Sequence, residues 1–301
     1  MTLVTVPCDL CGGAAFQPVY PNTIAADAAD LAAYYSSSRS QAGHLDIVRC
    51  SNCGLMMTNP RDDDATLAQV YAGLQDQIYD TEDTNRRRTA QEFFELVAQY
   101  CPRPGRLLDV GCATGLFACV AQSAGWQVTG LEASPWAVAR ARASCPQATF
   151  VVGLVEEADL PEESFEAITL WDVLEHVPRP SETLRHLHGW LAPRGWLFLN
   201  APNAKSLVAR LMGQHWVLLL REHLWYFSPA TIAAMLRQNG FEMAHLRPNF
   251  VRFSIANVLA RLGQYPGAVG GLSRQLAGQA WLKRLSIQFP MGEMNVVARK
   301  M

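Results

Sequence analysis

The sequence predicts an α/β protein in which helices cover both faces of a parallel sheet, with a small zinc-binding module at its amino end. From residue 106 onward, short apolar segments typical of strands alternate with segments of helical periodicity, which indicates a parallel sheet. Before that point, four of the eight cysteines lie in two CxxC pairs. Half of the 301 residues are hydrophobic and 17% are charged, so the chain has enough apolar residues for a large core.

Three regions are predicted along the chain. Residues 1–60 form a zinc-ribbon-like module with an insertion, residues 61–100 a linker with N-terminal helices, and residues 101–301 the main domain. Residues 250–290 are predicted to be a helical insertion of that domain. Its predicted strands are 106–110, 127–132, 148–153, 165–171, 195–200, 241–246 and 294–299. The predicted helices are 85–100 in the linker and 115–124, 135–144, 180–191, 204–212 and 229–238 in the domain.

Two cysteine knuckles predict a metal site in the first region. Each knuckle places two thiols three residues apart and follows the second with a glycine: Cys8 with Cys11, and Cys50 with Cys53. Four thiolates are typical of a closed structural Zn²⁺ site, which stabilises a module too small for its own core. A redox pair, or two unrelated CxxC motifs, is the alternative.

Charge and hydropathy limit the function classes. The net charge is −2, and residues 1–246 carry 17 basic and 26 acidic side chains, so nucleic-acid binding is not favoured. Residues 247–301 hold eight basic side chains and one acid, Glu293. The start "MTLVTVPCDLC" lacks the basic residues of a secretory leader, and no apolar run approaches the roughly 18 residues of a membrane span. We therefore expect a cytoplasmic protein with reduced thiols.

The stretch "RLLDVGCATGLF" (residues 106–117) predicts a ligand site where the first strand of the domain turns into a helix. Glycines at such a turn allow a ligand to approach the backbone at the carboxyl edge of the sheet. The dinucleotide pattern GxGxxG fails, because positions 113 and 116 are Ala and Leu. Asp109 would repel a phosphate but attract an ammonium group. A dehydrogenase is therefore disfavoured.

Two further acidic positions complete this site. Glu132 ends the next predicted strand, where a carboxylate can accept both hydroxyls of a ribose. Val155 and Glu156 begin an acidic turn suited to an adenine edge. A cationic nucleoside with an amino-acid tail fits these groups, which describes S-adenosylmethionine (SAM). The predicted cofactor-binding set is Asp109, Gly111, Cys112, Gly115, Glu132, Ala133, Val155, Glu156 and Asp172.

The order of "LLDVGCATG", "VTGLEAS", "SFEAITLWDVLEHV" and "LAPRGWLFLNAPN" resembles the class I SAM-dependent methyltransferases. Within them the chain is most similar to ubiquinone-pathway O-methyltransferases and to small-molecule methyltransferases of bacterial biosynthetic clusters. The resemblance covers about 85–248 and 294–300. It implies a Rossmann-like, seven-stranded, mostly parallel sheet with an antiparallel last strand. Ala113 stands where the family often has glycine.

Two histidines are candidates for the catalytic base. Transfer to a hydroxyl requires a base for its proton, and His176 in "LWDVLEHV" and His223 in "REHLWYFS" are ranked equally. Alternatively, Asp172, Glu175 and His176 could hold Mg²⁺, as the resemblance to ubiquinone-pathway enzymes implies, or Glu175 and His176 could stabilise their loop.

The acceptor is predicted to be a small molecule, with the oxygen of a sugar, a lipid-linked compound or a secondary metabolite receiving the methyl group. A sugar C-methyltransferase and an rRNA methyltransferase with a zinc-bearing RNA-binding module remain alternatives. The intact Asp109, Gly111, Gly115 and Glu132 disfavour a non-catalytic scaffold. Ile255, Val258, Leu259 and Leu262 have helical spacing beside Arg252 and Arg261, so a peripheral membrane contact through 250–290 is a further possibility. The oligomeric state stays open.

Overall fold

The computed structural model describes residues 3–24, 34–35, 43–75, 83–255, 259, 271, 273, 275, 278–283 and 285–301. The strands in this part of the chain are β1 Leu3–Val4, β2 Phe16–Tyr20, β3 Ile47–Cys50, β4 Met56–Thr58, β5 Arg61–Asp62, β6 Arg106–Val110, β7 Gln127–Glu132, β8 Thr149–Val152, β9 Phe165–Leu170, β10 Leu191–Pro202, β11 Trp225–Tyr226, β12 Phe241–Ser254 and β13 Ser286–Lys300. The helices are α1 Asp64–Gly73, α2 Asp83–Tyr100, α3 Leu116–Ser123, α4 Pro135–Ser144, α5 Pro180–Trp190, α6 Leu207–Met212 and α7 Pro229–Gln238.

A seven-stranded sheet forms the main domain, in the order β12-β13-β10-β9-β6-β7-β8. The pairs from β10 to β8 are parallel, whereas β13 runs antiparallel to both β10 and β12. This arrangement confirms the predicted Rossmann-like, mostly parallel sheet with an antiparallel last strand. The central strands are buried on both faces, as expected for continuous apolar runs, and Leu108, Ile168 and Leu199 are inaccessible to solvent.

Helix caps place α4 and α7 where the sequence predicts them. The hydroxyl of Ser134 accepts a hydrogen bond from the N–H of Ala137, and Pro135 occupies the first helical position. Ser228 and Thr231 form a reciprocal capping box at the start of α7. These capping hydrogen bonds set the first residue of each helix, directly after the preceding loop.

The predicted helical insertion 250–290 is wrong at both of its ends. Residues 250–254 continue β12 and residues 286–290 belong to β13, with Phe250 opposite Pro290 and Arg252 opposite Gln288. The antiparallel ladder continues past the main sheet because each strand satisfies the backbone groups of the other. Much of the segment between, including Val258, Arg261 and Leu262 of the proposed membrane stripe, lies outside the described residues.

A second sheet links the amino-terminal region to the main domain. Its four strands have the order β11-β4-β3-β2, so Trp225–Tyr226 pairs with Met56–Thr58. A shared hydrophobic core includes Leu55 and Met57 from one side and Leu224 and Trp225 from the other. Within the described residues, no helix combines the length and the apolar character needed to cross a membrane.

Candidate active site

One cavity of about 670 Å³ opens at the carboxyl ends of the parallel strands. Gly111, Ala133, Gly153 and Asp172, which follow β6, β7, β8 and β9, all line it. Helix α1 contributes to the opposite wall. Among the described lining residues, eight carry a carboxylate and one, Arg179, carries a permanent positive charge. The ionisable side chains of the lining are therefore mostly acidic.

The turn after β6 requires glycine at position 111. Gly111 has φ +68°, and a Cβ built there would lie 2.5 Å from Cγ2 of Val173. Ala113 also has a positive φ, of 47°, which a non-glycine residue rarely adopts. Its N–H donates to Oε2 of Glu132 at 3.0 Å. This hydrogen bond stabilises the positive φ at a position where the family often has glycine.

Glu132 holds this turn and the start of α4 together. Its Oε1 accepts from the N–H of Ser134 at 2.9 Å, while its Oε2 accepts from Ala113. Burial raises the pKa of the carboxyl, and the hydrogen bonds from the backbone oppose that rise. Glu132 and Ala133 line the cavity as the sequence predicts.

Three predicted cofactor residues do not line the cavity. Asp109 is 2% exposed, and its Oδ1 accepts from the hydroxyl of Thr169 at 2.8 Å. Burial raises the pKa of Asp109 to about 7. Cys112 packs against Gly130, where a Cβ would lie 2.6 Å from its sulfur, and Gly115 lies against Ala141 of α4. The predicted set thus includes residues that pack beneath the turn as well as residues that line the cavity.

The predicted adenine region forms a short turn of 3₁₀ helix over Val155–Glu157. Val155 and Glu156 both line the cavity. Oε1 of Glu156 accepts from the hydroxyl of Thr183 in α5 at 3.0 Å, which fixes the carboxylate at the rim.

Asp172 lies at the floor of the cavity in a strained conformation. Its φ is +56°, and its N–H donates to Oδ1 of Asn200 at 2.6 Å while the amide of Asn200 donates back to the Asp172 carboxylate. Burial raises the pKa of Asp172. Glu293 lines the same floor, and burial, followed by the nearby charge of Asp172, raises its pKa to about 8.

His176 and His223 both line the cavity, and their rings lie next to each other. Their ring centroids are 4.8 Å apart with an interplanar angle of 79°. Nδ1 of His176 lies 3.0 Å from the carbonyl oxygen of Glu222, and Nδ1 of His223 lies 2.8 Å from that of Leu218. Because a carbonyl only accepts, each Nδ1 carries the proton and each Nε2 keeps a lone pair.

Burial keeps both imidazoles neutral. It lowers the pKa of His176 to about 4, although the carbonyl of Glu222 opposes the shift. It lowers the pKa of His223 well below the ordinary value, and the proximity of His176 adds to the effect. Both rings can therefore accept a proton at neutral pH without first losing one.

The predicted Mg²⁺ set of Asp172, Glu175 and His176 is not the cluster that forms. Ligand atoms of Glu175, His176 and His223 lie within 4.8 Å of one another, whereas the Asp172 carboxylate is engaged by Asn200. Oε2 of Glu175 is buried and has no hydrogen-bond partner among the residues that the structure describes, and burial raises the pKa of this carboxyl. Two imidazoles and one carboxylate do not fit Mg²⁺, which prefers oxygen ligands.

Three lining residues escaped the sequence analysis. The hydroxyl of Tyr71, from α1, lies 3.1 Å from Nδ1 of His176. Glu222, directly before His223, also lines the cavity, but no spacing pattern in the sequence indicates it. Glu293 had a usable signal, because it is the single acid in the basic stretch 247–301.

The four knuckle cysteines converge. Cys8 and Cys53 have their sulfurs 3.5 Å apart, as do Cys11 and Cys50, and all four sulfurs lie within 4.8 Å of one another. Sulfurs of a tetrahedral Zn²⁺ site, with metal–sulfur bonds of about 2.3 Å, have this spacing. The residues present therefore fit Zn²⁺.

Comparison with known sequences places the chain in a family. The profile of a family described as "Methyltransferase domain" matches residues 83–246, which is more than half of the chain. The ubiquinone biosynthesis O-methyltransferase of Albidiferax ferrireducens is 30% identical over 167 residues, which are 51% of this chain and 66% of that protein. The enzyme of the same name from Xanthomonas axonopodis is 32% identical over 154 residues, or 47% of this chain and 64% of that protein. The chain thus spans a little under two thirds of the length of these curated relatives.

Solved structures give the same assignment of fold. A putative methyltransferase from Bacillus halodurans superposes with a TM-score of 0.52 at 18% identity, covering 70% of this chain and 99% of that one. The YcgJ protein of Bacillus subtilis gives a TM-score of 0.50 at 17% identity, covering 70% and 98%. With the matched residues 83–246 and a class I sheet, this chain belongs to the methyltransferase-domain family.

Proposed function

We propose that this protein transfers a methyl group from SAM to a hydroxyl of a small-molecule acceptor. One observation carries the proposal: a single cavity joins the turn at Gly111 and Glu132 to the pair of neutral imidazoles at His176 and His223. The same cavity would therefore hold a cationic nucleoside at one place and, at another, a hydroxyl whose proton a histidine can take.

The half of the cavity at the sheet edge would bind SAM. Glu132 would accept the ribose hydroxyls, and Val155 with Glu156 would contact the adenine. Gly111 would bring the backbone close to the amino-acid tail, and Asp172, which lines the same cavity, would lie near it. Asp109 would act from beneath the turn, where its hydrogen bond to Thr169 keeps the strand end in place.

The other half would bind the acceptor. SAM supplies an electrophilic methyl group on a positive sulfur, so the chain's task is to align the nucleophile, exclude water and remove one proton. The new bond joins the acceptor oxygen to the methyl carbon as the carbon–sulfur bond breaks, and S-adenosylhomocysteine (SAH) leaves. Nε2 of His223 or of His176 takes the hydroxyl proton.

The names of the relatives support a small molecule as the acceptor, since they are enzymes of ubiquinone biosynthesis. We extend this to a hydroxyl of a sugar, a lipid-linked compound or a secondary metabolite.

We also propose a structural Zn²⁺ at the four cysteines and a cytoplasmic location, where thiols stay reduced.

The test uses the full chain with SAM carrying a tritiated methyl group. Acceptor pools of catechols, sugars, lipid-linked sugars and rRNA are incubated in parallel, and labelled products are identified by mass. We expect an O-methylated small molecule and SAH. Failure to bind SAH in calorimetry would reject the proposal, as would label transferred to rRNA alone. Label found on a sugar carbon would instead support the C-methyltransferase.

A further inference from the structure

We infer that the amino-terminal segment, meaning the described residues 3–24, 34–35 and 43–74, is part of the acceptor site and positions His223 through Thr58. The inference rests on the proposed function, because it assigns a role to one side of the same cavity. It gives the cysteine module a task beyond its own stability, because the segment that contains the cysteines holds the half of the site that would bind the acceptor.

Thr58 is the central contact. Its hydroxyl donates to the carbonyl oxygen of His223 at 2.8 Å, and its N–H donates to the carbonyl of Leu224 at 3.0 Å. Thr58 is inaccessible to solvent, so water does not compete for either bond. The pairing of β4 with β11 continues this connection into Trp225.

A buried ion pair anchors the other side of His223. The guanidinium of Arg221 donates two hydrogen bonds to the Asp62 carboxylate, at 2.9 and 2.8 Å. The hydroxyl of Tyr35 donates to the same carboxylate at 2.6 Å. Bidentate pairs of this kind fix orientation as well as distance. His223 therefore lies between two attachments to the amino-terminal segment.

The loop after His176 is held from the same segment. Arg61 donates to the carbonyl of Pro178 at 2.7 Å. The carboxylate of Asp9, in the first cysteine knuckle, accepts from the N–H of Ser181 at 2.7 Å. Both loops that present the histidines thus depend on contacts with the amino-terminal segment.

The segment also forms a wall of the cavity. Tyr35, Leu67 and Tyr71 line it, and the Tyr71 hydroxyl lies at Nδ1 of His176. An acceptor that reaches the histidines would contact these side chains.

The cysteines connect to Thr58 through one hairpin. Cys50 ends β3, Cys53 lies in the turn, and β4 follows directly and ends at Thr58. The N–H of Cys50 donates to the carbonyl of Leu55 at 2.9 Å. An ion held by the cysteines would fix this turn and hence the strand that carries Thr58.

The experiment follows His223 directly, so it needs no known acceptor. Histidine is labelled with ¹³C, and the signals of the seven histidines are recorded by NMR, with His223→Gln assigning the relevant one. Thr58→Val removes the hydroxyl at nearly constant volume, Thr58→Ser restores it, and Thr5→Val makes the same change at an exposed position of the segment. SAH affinity is measured by calorimetry on each variant.

We expect Thr58→Val to shift or broaden the His223 signal and to leave SAH affinity unchanged, while Thr58→Ser and Thr5→Val resemble the parent. Cys53→Ser, with its loss of bound metal checked by elemental analysis, should move the same signal. The inference would be overturned if the His223 signal of Thr58→Val stayed where it is in the parent. It would also be overturned if Thr58→Val lost SAH affinity together with the change in the His223 signal. If the parent itself binds no SAH, the proposed function fails, whereas the His223 signals still decide whether Thr58 positions that ring.

Discussion

The rings of His176 and His223 stand nearly perpendicular with their centroids 4.8 Å apart, and each Nδ1 is committed to a backbone carbonyl. Two bases so close would repel each other if both were protonated. Burial lowers the pKa of His176 to about 4 and that of His223 well below its ordinary value, so both rings are neutral at pH 7.

Replacing His223 by Gln should lower methyl transfer by about 10²-fold or more, the usual contribution of a general base. SAH affinity should stay the same, because the histidines lie beyond the cofactor half. His176→Gln is tested in the same way, and the larger loss in kcat identifies the base. His215→Gln, at an exposed position, serves as the control. A loss below about threefold in both cavity variants would exclude a histidine base.

Glu132→Ala should weaken SAH binding by at least about 30-fold, or about 2 kcal/mol, because charge-assisted hydrogen bonds to the ribose disappear. Calorimetry measures the effect. Glu242→Ala removes an exposed carboxylate from β12 and should leave affinity unchanged. Retained affinity in Glu132→Ala would place the ribose elsewhere.

SAM should bind more tightly as pH rises from 6 to 9, by up to about tenfold. The pKa of Glu293 is raised to about 8, so this carboxyl is neutral below that pH and anionic above it. An anion at the cavity floor attracts the sulfonium of SAM, whereas SAH lacks that charge and should show a flatter profile. Parallel titrations of both ligands test this, and Glu293→Gln should remove the difference between them. Identical slopes for SAM and SAH in the parent would contradict the prediction.

Gly111→Ala should lower the free energy of unfolding by on the order of 3 kcal/mol. The new methyl group would meet Val173 at 2.5 Å in a left-handed backbone conformation. Gly189→Ala is the matched control, since a Cβ added there would meet no described atom within 4 Å beyond its chain neighbours and the backbone of its own helix, and Gly189 lies near the end of α5. There we expect a gain of about 0.5 to 1 kcal/mol. Denaturant titration of both variants gives the comparison, and equal stabilities would show that the turn tolerates a side chain.

The purified protein should contain one Zn²⁺ per chain, and Cys53→Ser should lose it. Removing the ion from four converging thiolates should lower the melting temperature, because the module has little core of its own. Elemental analysis and thermal denaturation report the two effects, with Cys101→Ser, outside the cluster, as the control. Metal retained at full occupancy in Cys53→Ser would place it at another site.

Sequence patterns sufficed where the physical cause is local. The starts of α4 and α7, the turn at Gly111 and the cysteine knuckles each depend on neighbours within a few residues. The position of Glu132 at the cavity follows in the same way, because a strand of known period places its last side chain at the sheet edge, while its contact with a cofactor stays a prediction. All these positions were predicted from residue type and spacing.

Contacts across long sequence separations were not predictable in this way. Nothing near Thr58 indicates a partner 165 residues away at His223. The depth of Asp109 beneath the cavity depends on packing against Thr169, which spacing does not encode. The extension of β12 into residues 250–254 depends on its pairing with β13, and the helical spacing of residues 255–262 does not indicate where that strand ends.

The pairing of Trp225–Tyr226 with Met56–Thr58 also limits how such proteins can be recombined. A chimaera that exchanges the first hundred residues between two relatives would separate this short strand from the sheet it completes. Crossovers that keep both segments from one parent should yield folded hybrids more often. The residues that must be exchanged together are therefore not contiguous in the gene.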